Sequence, residues 1–171
     1  MDTFVRLVSS LQEPHSRFVV IGAWGANYYA ASGTTLFTTL DRHLFVPNDA
    51  ANLVSIWSLC ESTGLDLRAG DEPLDFPRDD LLAKRMIELG AVSRASDGRG
   101  LEIDLTPVMA GFDFEEVWEE RRVFFVEGVE VPVARLSHII ASKMKVGRPK
   151  DILFLETHAQ ALKELRRLDD E

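Results

Sequence analysis

Apolar positions along the chain alternate between helical spacing and short extended runs, and each change predicts a new element. Residues 3–12 are apolar at the spacing of one helix face, whereas residues 17–22 form a β-branched run that stops at glycine. By the same criteria we predict helices over 23–31 (with Gly33 as its stop), from Asn48 or Asp49 to Gly64, and over 79–89, 114–120, 136–145 and 150–168, and strands over 39–46, 65–68, 91–95, 101–106, 123–126 and 129–133. The segment from Ile87 onward also fits a strand.

The order of these elements indicates the fold class. After the first helix the chain reads β-α-β-α, continues with mixed strands and ends in helices. This order is typical of an α/β (α+β) fold with a small mixed β-sheet flanked by helices. The sequence contains no internal repeat, low-complexity segment or long linker. We therefore expect one domain over residues 1–171, with a core over about 17–135 and a C-terminal helical segment over about 136–168.

Composition narrows the class of protein but does not identify its function. Hydrophobic residues make up 46% of the 171 positions, and no apolar run reaches the roughly 18–20 residues of a membrane span. The single cysteine, Cys60, excludes an internal disulfide, and the N-terminus does not resemble a signal peptide, so we expect a cytoplasmic protein with no membrane partner. The net charge of −9 disfavours an extended nucleic-acid surface. It does not exclude a small anionic ligand bound by a few donors and metal ions.

Charged and polar side chains interrupt one of the predicted strands. In the stretch TTLDRHLFV, which covers residues 38–46, Asp41 and His43 stand among apolar neighbours. Side chains at positions i and i+2 of a strand lie on the same face, so we expect these two to point to the same side, away from Arg42. Such a pair is either a structural polar network or half of a functional site.

Two further stretches carry candidate chemistry. In VIGAW, Gly22 lies between a strand and a helix, where it lets the backbone approach a ligand and the helix offers free N–H groups to phosphate. The same glycine would also serve simply to make the turn. In LEIDL, Glu102 and Asp104 share one face of a strand, and a solvated sheet edge is the alternative explanation for them.

Four stretches follow one another in a recognisable order: VVIGAWGANYYA, TTLDRHLFV, LEIDLTP and LSHIIASKMKVGRPKDILFLE. Together they resemble the nucleotidyltransferase superfamily with the polymerase-β-like fold, especially its small bacterial AbiEii-like and minimal members. The resemblance spans about residues 17–160. It implies transfer of a nucleoside monophosphate from a nucleoside triphosphate to a hydroxyl group, with two Mg²⁺ (or Mn²⁺) ions held by strand carboxylates.

The resemblance assigns the metal and catalytic positions. It implies that Asp41 is the first metal carboxylate and that Asp104 is the third acid, which helps to bind a metal and accepts the proton of the attacking hydroxyl. His43 stands where the family has its second metal-binding aspartate. Imidazole is a poor ligand for magnesium, and the change removes one negative charge, so two-metal catalysis should be weakened or lost. His43 could still bind one transition metal with Asp41, or hydrogen-bond a phosphate when protonated.

The nucleotide-binding positions follow from the same resemblance. Gly22 matches the phosphate-turn glycine, and Ala23 replaces the usual glycine or serine, which leaves only its backbone N–H for contact. Lys143 and the cluster of Arg148, Lys150 and Asp151 match the C-terminal motif, whose basic groups either meet phosphate or support the fold. Arg148 and Lys150 also fit a charged cap between two helices.

Three hypotheses remain open from the sequence. The first is an active nucleotidyltransferase that uses Asp41 and Asp104, helped by His43, Glu102 or another acid. The second is an inactive family member that binds a nucleotide or a protein partner, for example as a toxin–antitoxin component. The third is a coincidental likeness in a small α/β domain. The hydroxyl acceptor (RNA, a protein or a small molecule such as an aminoglycoside) is not specified by any feature of the chain.

Overall fold

The computed structural model describes residues 1–12, 14, 16–30 and 37–171. Over these ranges the helices are α1 (Thr3–Gln12), α2 (Gly22–Asn27), α3 (Ala50–Ser62), α4 (Asp80–Glu88), α5 (Phe114–Glu119), α6 (Leu136–Val146), α7 (Pro149–Thr157) and α8 (Ala159–Asp170). The strands are β1 (Val19–Ile21), β2 (Asp41–Phe45), β3 (Asp66–Ala69), β4 (Glu72–Pro73), β5 (Ser93–Ser96), β6 (Glu102–Thr106), β7 (Arg122–Val126) and β8 (Val129–Val133). Every helix in these ranges is too short or too polar to cross a membrane.

The eight strands form one mixed sheet in the order β4-β3-β5-β6-β2-β1-β8-β7. β2 is parallel to β6 and β1 is parallel to β8, whereas the other neighbouring pairs are antiparallel. This arrangement confirms the predicted α/β (α+β) class, with a mixed sheet flanked by helices and a helical C-terminal segment. It also rules out the solvated-edge explanation for Glu102 and Asp104, because β6 and β2 are the two central strands of the sheet.

Successive side chains along the central strands point to opposite faces of the sheet, and one of these faces is apolar and the other polar. Leu44 and Ile103 are fully buried on the apolar face, which α1 and α3 cover. Arg42 lies on this face too, as predicted, and its guanidinium packs over the rings of Trp24 at 3.9 Å and Phe4 at 5.0 Å. Cation–π contact with two aromatic rings compensates for the partial burial of its charge.

Two helices differ from their predicted lengths. α2 ends at Asn27 rather than continuing to residue 31, and the Asn27 side chain exchanges two hydrogen bonds of 2.8 and 2.9 Å with the backbone of Phe37. These bonds fix the returning chain at the end of the helix; Gly33, its predicted stop, lies outside the described residues. The predicted helix over 150–168 is divided at His158, whose ring packs against Phe37 and Phe154 at the junction of α7 and α8. Ile87 and Glu88 belong to α4, and the next strand begins only at Ser93, so the alternative of a strand from Ile87 is wrong.

Candidate metal and nucleotide site

The parallel pairing of β2 and β6 places four functional side chains on the polar face of the sheet. Asp41 lies opposite Glu102 and His43 lies opposite Asp104 in the register of the two strands. Residues opposite one another in a ladder point to the same face, and so do residues two positions apart along each strand. The i, i+2 spacing of both pairs in the sequence therefore becomes a square of polar groups at the centre of the sheet.

Three of these side chains are arranged as possible metal ligands. Asp41, His43 and Asp104 each offer one ligand atom, and these atoms lie within 4.8 Å of one another. His43 Nε2 is 3.9 Å from Asp104 Oδ2, and the Asp104 side chain is only 10% exposed, against 42% for His43. Burial lowers the pKa of His43 below its ordinary value, against the opposing influence of Asp104 and Asp41. The imidazole is therefore neutral at physiological pH, which is the form that binds a metal ion.

Arg94, on β5, is a member of the same cluster that the sequence analysis missed. Its Nε donates to Asp104 Oδ1 at 2.7 Å and its Nη2 donates to Asp104 Oδ2 at 3.0 Å, so both carboxylate oxygens are engaged. Its Nη1 donates to Glu102 Oε2 at 2.8 Å, and Nη2 lies 3.7 Å from Asp41 Oδ2. The hydrogen bonds to Asp104 raise the pKa of Arg94 above its ordinary value. The guanidinium is therefore a fixed positive charge among three carboxylates.

The position of Arg94 follows from the pairing of β5 with β6. Ser93 and Ala95 are buried on the apolar face, where Trp57 of α3 donates a hydrogen bond of 2.9 Å to the Ser93 hydroxyl. Arg94 lies between them in the strand and so points to the opposite, polar face. In the antiparallel register Arg94 is directly opposite Asp104, close enough for a bidentate contact.

All the side chains predicted to form the site line one cavity. Its volume is about 750 Å³, and it extends from the polar face of the sheet to α6 and α7. The predicted residues along its wall are Gly22, Ala23, Asp41, His43, Asp104, Lys143, Arg148 and Lys150. Thr38, Thr39 and Ser142, which the sequence analysis did not single out, also line it. A cavity of this size is within the range of small-ligand and cofactor sites.

Gly22 occupies the turn between β1 and α2 with a positive φ of 72°. This left-handed conformation favours glycine over every residue with a side chain. A Cβ atom built at Gly22 would lie 3.7 Å from the His43 ring, an ordinary contact distance, so the backbone conformation rather than lack of space requires glycine. The turn therefore holds the backbone of Gly22 and Ala23 beside the candidate metal ligands.

Basic groups form the opposite wall of the cavity and are held by Asp151. Arg148 donates to Asp151 at 2.8 and 3.4 Å, and Lys143 Nζ lies 3.5 Å from the same carboxylate, which is 2% exposed. Burial lowers the pKa of Lys143, although Asp151 opposes the shift.

Arg148 is also the residue that precedes α7, as the cap interpretation predicted. Lys150, in the first turn of α7, is exposed at the rim. The Arg148 side chain makes no capping hydrogen bond, so Arg148 holds the N-cap position by its backbone alone while its guanidinium pairs with Asp151.

The donor set fits one divalent cation better than two. Two carboxylates and one neutral imidazole can hold a single ion; the imidazole favours zinc, nickel or copper over Mg²⁺, whereas the carboxylates also suit Mg²⁺ and Mn²⁺. Asp41, Glu102 and Asp104 carry three negative charges, and Arg94 neutralises one of them. Without a nucleotide, the remaining two negative charges balance one divalent ion. These residues by themselves therefore supply ligands for one ion, and a second ion, as the sequence resemblance implied, would depend on oxygens of the nucleotide.

Comparison with known proteins bears on the fold. No family profile matches the chain, and a search of curated proteins finds no significant similarity. Among solved structures, the chain is similar to the solution structure of the antibiotic-resistance factor ANT(2'')-Ia, with 15% identity and a TM-score of 0.52 over 97% of this chain and 88% of that one. It is also similar to a crystal structure of ANT(2'')-Ia in complex with adenylyl-2''-tobramycin, with 16% identity and a TM-score of 0.50 over 99% and 98% of the two chains.

The chain has a nucleotidyltransferase-like fold. At 15–16% identity the similarity concerns the fold only, because proteins of one fold can carry different chemistry. It confirms the fold that the sequence stretches implied, whereas membership of the superfamily and the AbiEii-like assignment stay predictions.

Proposed function

We propose that the protein binds a nucleoside triphosphate together with one divalent cation and transfers the nucleoside monophosphate to a hydroxyl acceptor. The hydroxyl oxygen forms a bond to the α-phosphorus, the bond between the α-phosphorus and the oxygen bridging to the β-phosphate breaks, and pyrophosphate leaves. The observation that supports this most directly is the arrangement of opposite charges in one cavity. Asp41, His43 and Asp104 form a cation-binding group on the sheet, and Lys143 and Arg148 present positive charge from α6 and the start of α7. A triphosphate is strongly negative. It is bound well between a metal ion on one side and basic side chains on the other, which is the arrangement proposed for this cavity.

Each side chain has a proposed role. Asp41 and His43 hold the metal ion, which when bound would stabilise negative charge on phosphate oxygens. Lys143 and Arg148, oriented by their contacts to Asp151, bind and position the phosphates, and Lys150 supplies a further charge at the rim. Asp104, oriented by its hydrogen bonds from Arg94, is the group that would accept the proton of the attacking hydroxyl.

The acceptor proposed first is a small molecule with hydroxyl groups. ANT(2'')-Ia, the fold neighbour, has been captured with adenylyl-2''-tobramycin, a nucleotide joined to a small-molecule acceptor. The net charge of −9 works against RNA, which needs basic surface along its backbone. A protein acceptor is the remaining alternative of the three.

A second candidate function is nucleotide or partner binding without transfer, as in an inactive component of a toxin–antitoxin pair. The specific observation in its favour is that Asp104, the proposed proton acceptor, already has both oxygens bonded to Arg94. These two hydrogen bonds compete with an acceptor hydroxyl for the lone pairs of both oxygens. His43 in place of a carboxylate weakens the metal site further.

Calorimetric titration with each of the four nucleoside triphosphates, with and without Mn²⁺ or Mg²⁺, tests nucleotide binding. We expect binding that depends on the metal and is lost in Asp41→Asn. Asp66→Asn, which removes an exposed carboxylate on β3 outside the cavity, is the matched control and should bind as the wild type does. Failure of all four triphosphates to bind would reject both nucleotide-dependent functions. Transfer of label from the bound triphosphate to a panel of small hydroxyl compounds then separates the transferase from the binding module.

A further inference from the structure

The guanidinium of Arg94 occupies the position among the carboxylates where a cation is expected. It contacts Asp104 through two hydrogen bonds, Glu102 through a third, and approaches Asp41 within 3.7 Å. A metal ion placed between Asp41, His43 and Asp104 would have to share these oxygens with it. Arg94 therefore bears directly on how the site binds metal.

Asp104 is the ligand most affected. Its side chain is 10% exposed, and both of its oxygens accept hydrogen bonds from Arg94, in the parallel geometry that gives Arg–carboxylate pairs their strength. Asp41, by contrast, is 39% exposed and touches Arg94 only at 3.7 Å. A metal ion can reach Asp41 and His43 from the cavity without disturbing Arg94, but it can bind Asp104 only in competition with the guanidinium.

We propose that Arg94 is a tethered cation that competes with the divalent metal ion for Asp104. In the resting protein the ion is held weakly, by Asp41 and His43 alone. Asp104 joins its ligands only when the Arg94 side chain moves away, a movement that its 33% exposed side chain permits on the open side of the cavity. Arg94 thereby regulates the metal affinity of the site, and the inference rests on the proposed function only in assuming that this site takes a divalent ion.

Binding of Mn²⁺ in the absence of nucleotide tests the competition. The free Mn²⁺ signal in electron paramagnetic resonance gives the dissociation constant for the full chain at neutral pH. We expect Arg94→Gln to bind Mn²⁺ about tenfold more tightly than the wild type, which corresponds to about 1.4 kcal/mol. The gain should disappear in the Arg94→Gln, Asp41→Asn double variant, because the ion then loses its first carboxylate. A purely structural role for Arg94 would predict equal or weaker binding, so the direction of the change distinguishes the two.

Arg68→Gln is the matched control. Arg68 lies directly opposite Arg94 in the ladder between β3 and β5, and its side chain donates to the backbone of Asp71 instead of to a site carboxylate. Its removal takes one positive charge from the same face of the sheet without touching the cluster. We expect little change in Mn²⁺ affinity, because the Arg68 side chain is bonded to the backbone of Asp71 and does not compete for the oxygens of Asp104. A gain as large as that of Arg94→Gln would show a general charge effect and would overturn the proposal.

A second variant covers the case in which Arg94→Gln does not fold. Arg94→Lys keeps the charge but cannot form the two parallel hydrogen bonds, so it should fold and show a smaller gain in Mn²⁺ affinity. Circular dichroism establishes folding for each variant. The proposal is overturned if the folded variants bind Mn²⁺ no more tightly than the wild type.

The two proposals fail in different ways in these experiments. If Arg94→Gln gains Mn²⁺ affinity while the wild type binds no triphosphate, the competition stands and the proposed function is rejected. If the wild type binds a triphosphate with metal while the Arg94 variants gain nothing, the proposed function stands and the competition is rejected.

Discussion

Arg94 and Asp104 face each other across β5 and β6 and are joined by hydrogen bonds of 2.7 and 3.0 Å. The carboxylate is 10% exposed and the guanidinium 33%, so the acid depends on this partner more than the base does. Loss of Arg94 would leave the nearly buried Asp104 carboxylate with few other hydrogen-bond donors. The pair therefore connects the stability of the central sheet with the chemistry of the cavity.

Replacement of Asp104 should destabilise the fold. We expect Asp104→Asn to lower the free energy of unfolding by about 1–2 kcal/mol, since it removes charge-assisted hydrogen bonds but leaves Arg94 in contact with Glu102 and water. Urea denaturation measures the change. Glu102→Gln is the control: its carboxylate is 39% exposed, and its loss should cost less than about 1 kcal/mol. Equal losses for the two variants would contradict the special role of the buried partner.

Replacement of His43 by aspartate should strengthen the metal site. The new carboxylate would restore an oxygen ligand and add a negative charge beside Asp41, so we expect His43→Asp to tighten Mg²⁺-dependent triphosphate binding by about tenfold or more. Calorimetry with and without Mg²⁺ measures it. His43→Asn, which is neutral, should show no such gain. Absence of any gain in His43→Asp would argue against a defect confined to this one residue.

Gly22 should be needed for both stability and binding. Its φ of 72° makes Gly22→Ala strained, and we expect a loss of about 1 kcal/mol in unfolding free energy together with weaker nucleotide binding as the turn relaxes. Gly98, in the turn between β5 and β6, has a nearly equal φ of 71° and an open surrounding. Gly98→Ala should therefore cost similar stability and leave nucleotide binding intact. Equal effects of both variants on binding would remove Gly22 from the site.

Asp151 should make the stability of the C-terminal helices depend on pH. Burial acts to raise its pKa, but the hydrogen bond from Arg148 and the charge of Lys143 outweigh burial and hold the pKa below the ordinary 3.8. The folded protein thus binds this proton less tightly than the unfolded chain does. The stabilisation is fully present above the ordinary pKa and is lost as the pH falls through the lowered value.

The variant Asp151→Asn isolates this contribution. At neutral pH we expect it to lower the unfolding free energy by roughly 2–3 kcal/mol, because Lys143 and Arg148 lose the buried carboxylate that they share. The difference from the wild type should shrink as the pH is lowered below about 3.8. A difference that stays constant down to the acid limit would show that the charge of Asp151 is not its cause.

Local spacing in the sequence was sufficient to predict the acid–histidine part of the candidate site. Asp41 and His43, like Glu102 and Asp104, are two residues apart in recognisable strands, and strand geometry alone puts each pair on one face. Their meeting at the centre of the sheet depends on β2 pairing with β6, which the sequence did not specify and the structure shows.

Arg94 could not be placed in the same way, because its neighbour depends on hairpin register. A turn at residues 96–100 would have put Arg94 opposite Glu102. In the structure β5 extends to Ser96, and Asp97 closes the turn by accepting from the N–H groups of Arg99 and Leu101. This shift of two residues brings Arg94 opposite Asp104. Strand geometry alone puts Arg94 on the face opposite Ser93 and Ala95, but only the register gives its partner.

A crystal structure with Mn²⁺ and a non-hydrolysable nucleoside triphosphate tests the central claim most directly, because Mn²⁺ is identified by its anomalous scattering. We expect one anomalous peak between Asp41 and His43, with the triphosphate extending from it towards Lys143 and Arg148 in the same cavity. A nucleotide or metal ion bound elsewhere on the chain, or a well-ordered cavity that holds neither, would contradict the account.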